Sequence, residues 1–461
     1  MRFRALLAAT TALLTPTTTA IDVNLDSPDS IKSAASNIAH GMMTWYIGNQ
    51  TGQTPGILTP PDVYYWWMAG AMMGNLIDYW YYTGDSSYNA IVTEAMLFQV
   101  GPTYDYMPPN QTKTEGNDDQ AFWGFAAMSA AEYRFPNPPS DQPQWLALAQ
   151  GVWNSQQLRW DNEYCNGGLR WQIFTWNNGY DYKNTPSNAG FINLGARLYA
   201  YTGNETYSHW ASKAWDWLAA QNLITNDQVN PPAWRILDGT YITDNCTTLT
   251  PIQWSYNVGL LLNAAAVMWN ATGHPMWEER AMGIWGAAIV FFRNKIMLEA
   301  ACEPAGNCNT DQLSFKAQLS RFLAASTKWM PALSPLVTPY LAASASAAAA
   351  QCTGTIAGLV GNACGFEWTT GGRWDGTYGF GQQMDALEIV LTQLIGDAAH
   401  PVTAAKGGIS KGDPSAGTGG DDGSLTNRVW GPVTMGDKAG AGVLTGVVLI
   451  GWLGGTWWMV K

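Results

Sequence analysis

An all-α fold, an (α/α)6 toroid of six helical hairpins, is what this 461-residue sequence predicts, on three observations. Twelve segments carry the apolar spacing and length of helices, and few Val/Ile alternations run long enough for a sheet. The breaks between those segments alternate, short then long. The unusual residues gather in the long breaks, and long structureless loops in a compact domain are usually functional.

Taken in order, the first helix is expected over 27–48 and runs into a long loop at 49–61. The second (62–83) and third (86–101) are joined by YTGDSS at 82–87, and loop 102–117 follows. The fourth (118–134) and fifth (143–157) flank FPNPPSD at 135–141, and loop 158–187 leads to the sixth. The sixth (188–202) and seventh (205–223) flank YTGNE, with loop 224–250 next; the eighth (251–270) and ninth (275–296) flank NATGHP, with loop 297–310 next. The tenth (311–329) and eleventh (334–352) flank MPALS, and loop 353–375 precedes the twelfth at 376–396. Gly and Pro in the short breaks are C-cap and stop signals. Tyr-Thr-Gly at Tyr82 and Tyr201, with Ala271-Thr272-Gly273 as a looser third, fits a repeated hairpin. In this geometry the even-numbered helices form an inner ring, and each points the positive end of its dipole at one cleft.

The ends carry other signals. Arg2 and Arg4, an apolar run from Ala5 to Leu14 and small residues up to Ala20 read as a secretory signal peptide over 1–20. The toroid then spans 21–400. A Gly/Ser-rich linker and spacer follows over 401–441, flexible from Lys406 to Ser424, and 442–461 is an apolar tail ending at Lys461. Small residues, spacer and tail resemble a GPI-attachment signal, favoured over a single-pass anchor because one Lys is a thin cytoplasmic flank, with attachment expected within Ser415 to Gly420. Sequons at Asn49, Asn110, Asn204, Asn245 and Asn270 agree with secretion. An oxidising compartment favours pairing of the six cysteines. Loops three and four precede neighbouring inner helices, so Cys165–Cys246 is the expected inter-loop bridge, with Cys302–Cys308 and Cys352–Cys364 as local pairs. No CxxC pattern and only 4 His argue against a metal site, and no cofactor is called for.

Charged residues make up 13% of the chain, below the ~25% of an average soluble protein, while aromatics also reach 13%, with 25 Trp. Amides, hydroxyls and flat apolar rings are what sugar binding needs. A net charge of −12 leaves no basic stripe for nucleic acid.

The stretch EGNDDQAFWGFAAMSAAE (115–132) places Asp118 and Asp119 at the start of the fourth helix. The plain reading is a helix cap, Asn117 or Asp118 accepting from free N–H groups, worth about 1 kcal/mol. That accounts for one acid better than two. The chemical reading is a retaining glycosidase pair, which needs two carboxyls roughly 5–5.5 Å apart, one charged and one protonated. The dipole favours ionising one, while repulsion and burial keep its neighbour protonated. Phe122 and Trp123 follow directly, and read either as an apolar wall for the pair or as core.

GNDDQAFWGFAAMSAAE resembles the central motif of the fungal endo-α-1,6-mannanases of glycoside hydrolase family 76, including its wall-assembly branch named for defective filamentous growth. The likeness covers about residues 21–400. It extends to YYWWMAGAMMGNLIDYWYYTGD (64–85), CNGGLRWQ (165–172), NTPSNAGFINLGARLYAYTGN (184–204), QWSYNVGLLLNAA (253–265) and RWDGTYGFGQQMDALE (373–388). The resemblance implies the (α/α)6 fold and retaining mannan endo-1,6-α-mannosidase action, with Asp118 as nucleophile and Asp119 as general acid/base. It also implies transglycosidase action on the mannose of GPI glycans, with wall glucan as acceptor, by a protein anchored at the outer face of the plasma membrane or in the cell wall.

Other candidates for the cleft are Trp67 (or its neighbour Trp66, one facing the cleft and one the packing), Trp171, Gln172, Tyr182, Asn184, Trp374 and Asp375. Asp375 reads equally as a helix cap, and Arg170 as an ion-pair partner. Two other functions stay open: a catalytically idle mannan-binding wall scaffold, and an inverting glycosidase of another six-hairpin family that draws one carboxylate from Asp238 or Asp375. A monomer is expected.

Overall fold

A computed structural model describes residues 21–419 except 22, 112–114, 228–232 and 373, together with the isolated positions 438, 442 and 445. The expected signal peptide and nearly all of the apolar tail lie outside the described residues.

Among residues 21–419 as described, twelve α-helices form: α1 (Pro28–Met42), α2 (Trp66–Thr83), α3 (Asn89–Phe98), α4 (Asn117–Glu132), α5 (Trp145–Leu158), α6 (Thr185–Thr202), α7 (Glu205–Ala220), α8 (Ser255–Thr272), α9 (Pro275–Ala288), α10 (Phe315–Trp329), α11 (Ser334–Gln351) and α12 (Phe380–Leu391). The even-numbered helices pack each on the next, and α12 closes on α2, so they make an inner ring. The odd-numbered helices lie outside it. Every residue of α4 except Asp119 is buried, whereas α7 buries only one stripe, Tyr207, Ala211, Ala214, Trp215, Trp217 and Leu218. A helix enclosed on all sides has no solvent face, and so shows no amphipathic pattern.

The Thr-Gly ends of α2, α6 and α8 are one device used three times. Gly84, Gly203 and Gly273 adopt left-handed φ of 78°, 74° and 66°, and each donates its N–H to the carbonyl four residues back. The preceding Thr83, Thr202 and Thr272 hydroxyls donate to Tyr79, Leu198 and Met268 and accept from the N–H two residues on. Glycine is required there because a Cβ disfavours that backbone region.

Beyond the helix N-termini the ring axis is filled by buried ion pairs. Arg321 grips Asp78 through two bonds (2.7 and 3.1 Å), joining α10 to α2, and Arg197 meets Glu132 at 2.6 Å, joining α6 to α4. Removing one partner of such a pair costs about 3–5 kcal/mol, because the other charge is left buried alone. These pairs tie together helices far apart in sequence.

Nine short strands among the described residues escape the periodicity reading: β1 (Tyr182–Asn184), β2 (Ile224–Asp227), β3 (Ala233–Ile236), β4 (Gly239–Tyr241), β5 (Leu249–Thr250), β6 (Phe292–Arg293), β7 (Ile296–Met297), β8 (Cys352–Ile356) and β9 (Leu359–Cys364). They form an antiparallel β1-β4-β5 sheet and three hairpins within the long loops. The ninth helix, expected to reach 296, stops at Ala288 because β6 and β7 turn back through Asn294 and Lys295, both at positive φ (52° and 66°). The first helix ends at Met42 and not at 48, passing into a 3-10 turn. The twelfth begins at Phe380 and not at 376. Disulfides join Cys165 to Cys246, Cys302 to Cys308 and Cys352 to Cys364. All five sequon asparagines are exposed, and Asn270 Nδ2 donates to Trp329 O.

The domain boundary expected near 400 is corrected by packing. Residues 401–419 form a strap that climbs the outside of the ring. Val402 N–H donates to Glu132 O, and the Ser410 hydroxyl accepts from Leu146 N at the start of α5. Further along, Gln150 Oε1 accepts from Asp413 N, Asn154 Nδ2 donates to Pro414 O and Ala416 O, and Gly417 N–H donates to Thr103 O. Glycine density there reflects close approach, not freedom: a Cβ on Gly417 would sit 2.1 Å from Gly151 O.

Candidate active site

The N-terminal ends of α2, α4, α8 and α10, with β1, surround an open cleft of about 250 Å³, just under the ~300–1,000 Å³ range of ligand sites. α4 brings Asp118 and Asp119 into it. Gly116 is the N-cap of α4 and has no side chain to offer; the Asp119 carboxylate instead reaches back to accept from Gly116 N–H at 2.7 Å. The pair therefore does cap the helix: Asp119 accepts from the N-cap N–H, and Asp118, as expected of it, accepts from a first-turn N–H, while Asn117 does not. Asp118 Oδ1 accepts from Asp119 N–H (3.0 Å), and Oδ2 accepts from the Asn184 amide (2.8 Å).

Both carboxyls converge over Gly116. A Cβ placed there would lie 2.6 Å from Asp118 Oδ1 and 2.9 Å from Asp119 Oδ2. Those two oxygens are thus no further apart than the roughly 5–5.5 Å of a retaining pair. The absent side chain is what makes room.

Their protonation differs for a visible reason. Burial pushes Asp118 up to about 7, against the Asn184 and Asp119 donors that favour its charged form; Asp238 adds a smaller upward push. Asp119 is raised well above the carboxylate range, by burial first and then by the charge of Asp118, with only Gly116 N–H opposing. Asp118 ionises first and Asp119 keeps its proton. Beneath them Glu115 is fully buried with both carboxyl oxygens unpartnered, and burial holds it neutral.

The walls come from several loops. Trp67 lines the cleft and donates to Asp311 Oδ1 (2.9 Å), while Trp66 turns into the packing and donates to Gln99. The ring of Phe122 lies 4.5 Å from that of Trp67, and Phe122 follows Asp118 by four residues and Asp119 by three, on the same helical face. Trp171, Tyr182 and Asn184 also line the cleft. Tyr182 donates to Asp238 (2.7 Å).

Four expected residues stand elsewhere. Trp123 is fully buried, stacked between Trp66 and Tyr106 against Gly70, because one step along the helix rotates it out of the cleft face. Gln172 accepts from Asn177, and its backbone bridges Gly116, so it braces the turn that carries the aspartate pair. Trp374 packs over Gly354 and donates to Thr377 O. Asp375 neither lines the cleft nor caps α12; it accepts from the N–H groups of Phe366, Glu367 and Thr377 and so folds its own loop. Arg170 pairs with Asp161 at 2.8 Å, between the rings of Tyr164 and Tyr180.

Trp254, Tyr256, Asn309, Asp311, Gln312 and Phe315 also line the cleft and were not singled out from the sequence. Each lies at the mouth of α8 or α10, as the aspartate pair lies at the mouth of α4; applying that one rule to every long loop finds them. Burial pushes Asp238 and Asp311 each up to about 6.

Residues 30–405 match glycosyl hydrolase family 76. The chain is 46% identical over 443 residues to mannan endo-1,6-alpha-mannosidase DCW1 of Saccharomyces cerevisiae, covering 96% of each. It superposes on the crystal structure of Dfg5 from Chaetomium thermophilum, solved with glucosamine, with a TM-score of 0.81 and 46% identity over 86% of this chain and 97% of that one. It shares the fold of an α-1,6-mannanase of Salegentibacter sp. HEL1_6, solved with α-1,6-mannotriose as an inactive variant with two consecutive aspartates changed to asparagine (TM-score 0.62, 16% identity, 79% of this chain and 99% of that one).

Proposed function

The chain belongs to glycosyl hydrolase family 76, and on that premise we propose that its cleft cleaves or transfers α-1,6-linked mannose with retention of configuration, in the mannan or GPI glycans of a fungal cell wall. The observation that carries the mechanism is the convergence of Asp118 and Asp119 over Gly116 with unequal hydrogen-bond support.

Asp118, as carboxylate, attacks the anomeric carbon while Asp119 gives its proton to the departing glycosidic oxygen. The C–O bond breaks and a β-linked mannosyl–Asp118 ester forms. Asp119, now charged, takes the proton of an incoming water or sugar hydroxyl, whose oxygen displaces Asp118 and restores the α configuration. Water gives hydrolysis; a glucan hydroxyl gives transfer. Trp67, Phe122 and Tyr256 exclude bulk water and offer flat faces to the sugar. Both carboxylates are needed for this chemistry and neither for a passive scaffold. The inverting alternative asks for carboxyls about 6.5–9.5 Å apart, and Asp375, one of its two candidate partners, lies outside the cleft.

For location we propose secretion and a GPI anchor. Among the described residues no helix is long and apolar enough to cross a membrane. Ala416 and Gly417 are buried against the body, which moves the attachment point within Ser415–Gly420 to Thr418 or beyond. Release by a phosphatidylinositol-specific lipase supports the anchor; a mature chain still ending at Lys461 refutes it.

The decisive experiment incubates purified protein with α-1,6-mannooligosaccharides, with and without a glucan acceptor, and reads product masses. Asp118→Ala with azide should give the β-azide, and Asp119→Ala the α-azide, because only the second still forms the ester. Folded Asp118→Asn and Asp119→Asn variants with near wild-type turnover would sink the mechanism. Azide products of the opposite configurations would swap the two roles.

A further inference from the structure

We propose that Tyr241, backed by Tyr182, forms an outer sugar subsite on the rim of the cleft that takes a further hexose of a longer α-1,6-mannan chain; the proposal rests on the function argued above. In the antiparallel β1–β4 pair Tyr182 stands directly opposite Tyr241 and Asn184 opposite Gly239. Opposed residues share a face of the sheet. On that face Asn184 donates to Asp118, Tyr182 donates to Asp238, and the Tyr241 ring lies 4.6 Å from that of Tyr182. The strand thus runs from the nucleophile outward, ~7 Å for the two residues from Asn184 to Tyr182, and ends on Tyr241.

The opposite face cannot supply the platform. Lys183 and Thr240 are fully buried there, with Lys183 Nζ donating to Tyr164 O and Gly167 O and paired with Asp161. Exposure rises along the open face, from 7% at Tyr182 to 44% at Tyr241. Single exposed apolar side chains are ordinary; this one continues a run of aromatic rings, Trp171 to Tyr182 to Tyr241, that starts inside the cleft.

Tyr241 is also held still. Its carbonyl accepts from Cys246 N–H, Ile242 N–H donates to Asp181 O, and the Cys165–Cys246 bridge ties the β4–β5 turn to the third long loop. Asp244 closes that turn by accepting from Thr247 and Thr248 N–H. A ring fixed before the glycan arrives loses little freedom on binding it.

The test compares wild type, Tyr241→Ala and Tyr241→Trp, each as the full secreted protein, on α-1,6-mannooligosaccharides from the trimer upward. Wild-type kcat/KM should climb with chain length. Tyr241→Ala should flatten that climb, losing about 3- to 10-fold on the longest substrate and almost nothing on the shortest, and Tyr241→Trp should restore it. Equal loss at every length, or no loss, overturns the subsite while leaving the function standing. Calorimetric titration of wild type with the longest oligosaccharide separates the two claims: no binding and no turnover overturns both.

Discussion

Replacing Asn184 by serine removes the amide that donates to Asp118 Oδ2 at 2.8 Å. It keeps an oxygen able to cap α6, a role Asn184 now fills by accepting from Ser187 N at 3.3 Å. A hydrogen bond to a charged group contributes about 1.5–3 kcal/mol, and one pKa unit corresponds to about 1.36 kcal/mol. The Asp119 N–H remains on Asp118, and water can enter the open cleft, so the lower end applies: a rise of about one unit. In the proposed mechanism Asp118 must be ionised to attack. The limb of the kcat/KM profile that rises with pH therefore moves to higher pH by about one unit, and on the acid side of both limbs the rate falls about 10-fold. The falling limb, set by Asp119, stays in place. Asn184→Asp, which adds a carboxylate beside Asp118, should move the rising limb further in the same direction. The assay is the pH dependence of α-1,6-mannotriose cleavage, with circular dichroism to confirm folding. A folded Asn184→Ser protein whose rising limb is unmoved, or moves to lower pH, refutes the assignment of Asp118 as the group that must lose its proton.

Gly116→Ala should cost catalysis at least 100-fold, on the order of a misplaced catalytic group, because the new Cβ would meet both carboxyls at 2.6 and 2.9 Å; normal turnover by a folded variant would show that the carboxyls need not share that space. Thermal melts should show stability falling as pH rises. Asp118, Asp238 and Asp311 hold their protons up to about 7, 6 and 6, against 3.8 for the ordinary group, so the folded state binds more protons between about pH 4 and 7 and its advantage is lost as pH climbs through that window. Asp118→Asn should flatten the slope, and a melting temperature that rises across the window contradicts the burial argument. Ending the chain after residue 400 should lower the melting temperature by several degrees, since it exposes the α5 surface that Ser410, Asp413 and Ala416 cover; an unchanged melt would return residues 401–419 to the status of a linker.

Much of the architecture is written locally. Twelve apolar segments, the Thr-Gly stops after α2, α6 and α8, and the alternation of short and long breaks place every helix, because helix length, caps and turns are decided by neighbours in the chain. The aspartate pair was legible for the same reason: two acids at a helix mouth are a local anomaly. Direction within the ring was not. α4 is buried on all sides, so its pattern does not say that Phe122 faces the cleft and Trp123 the core. Asp311 reaches the cleft through Trp67, 244 positions away, and Asp238 through Tyr182 on a strand pair that spans two loops. The strap over 401–419 reads as flexible by composition and is held by hydrogen bonds to Leu146, Gln150, Asn154 and Thr103 that composition does not encode. The sequence alone determined the helices, their order and the pair of acids. Closure of the ring decided which side chains share the cleft, because a contact between distant loops is set by packing that no local pattern records.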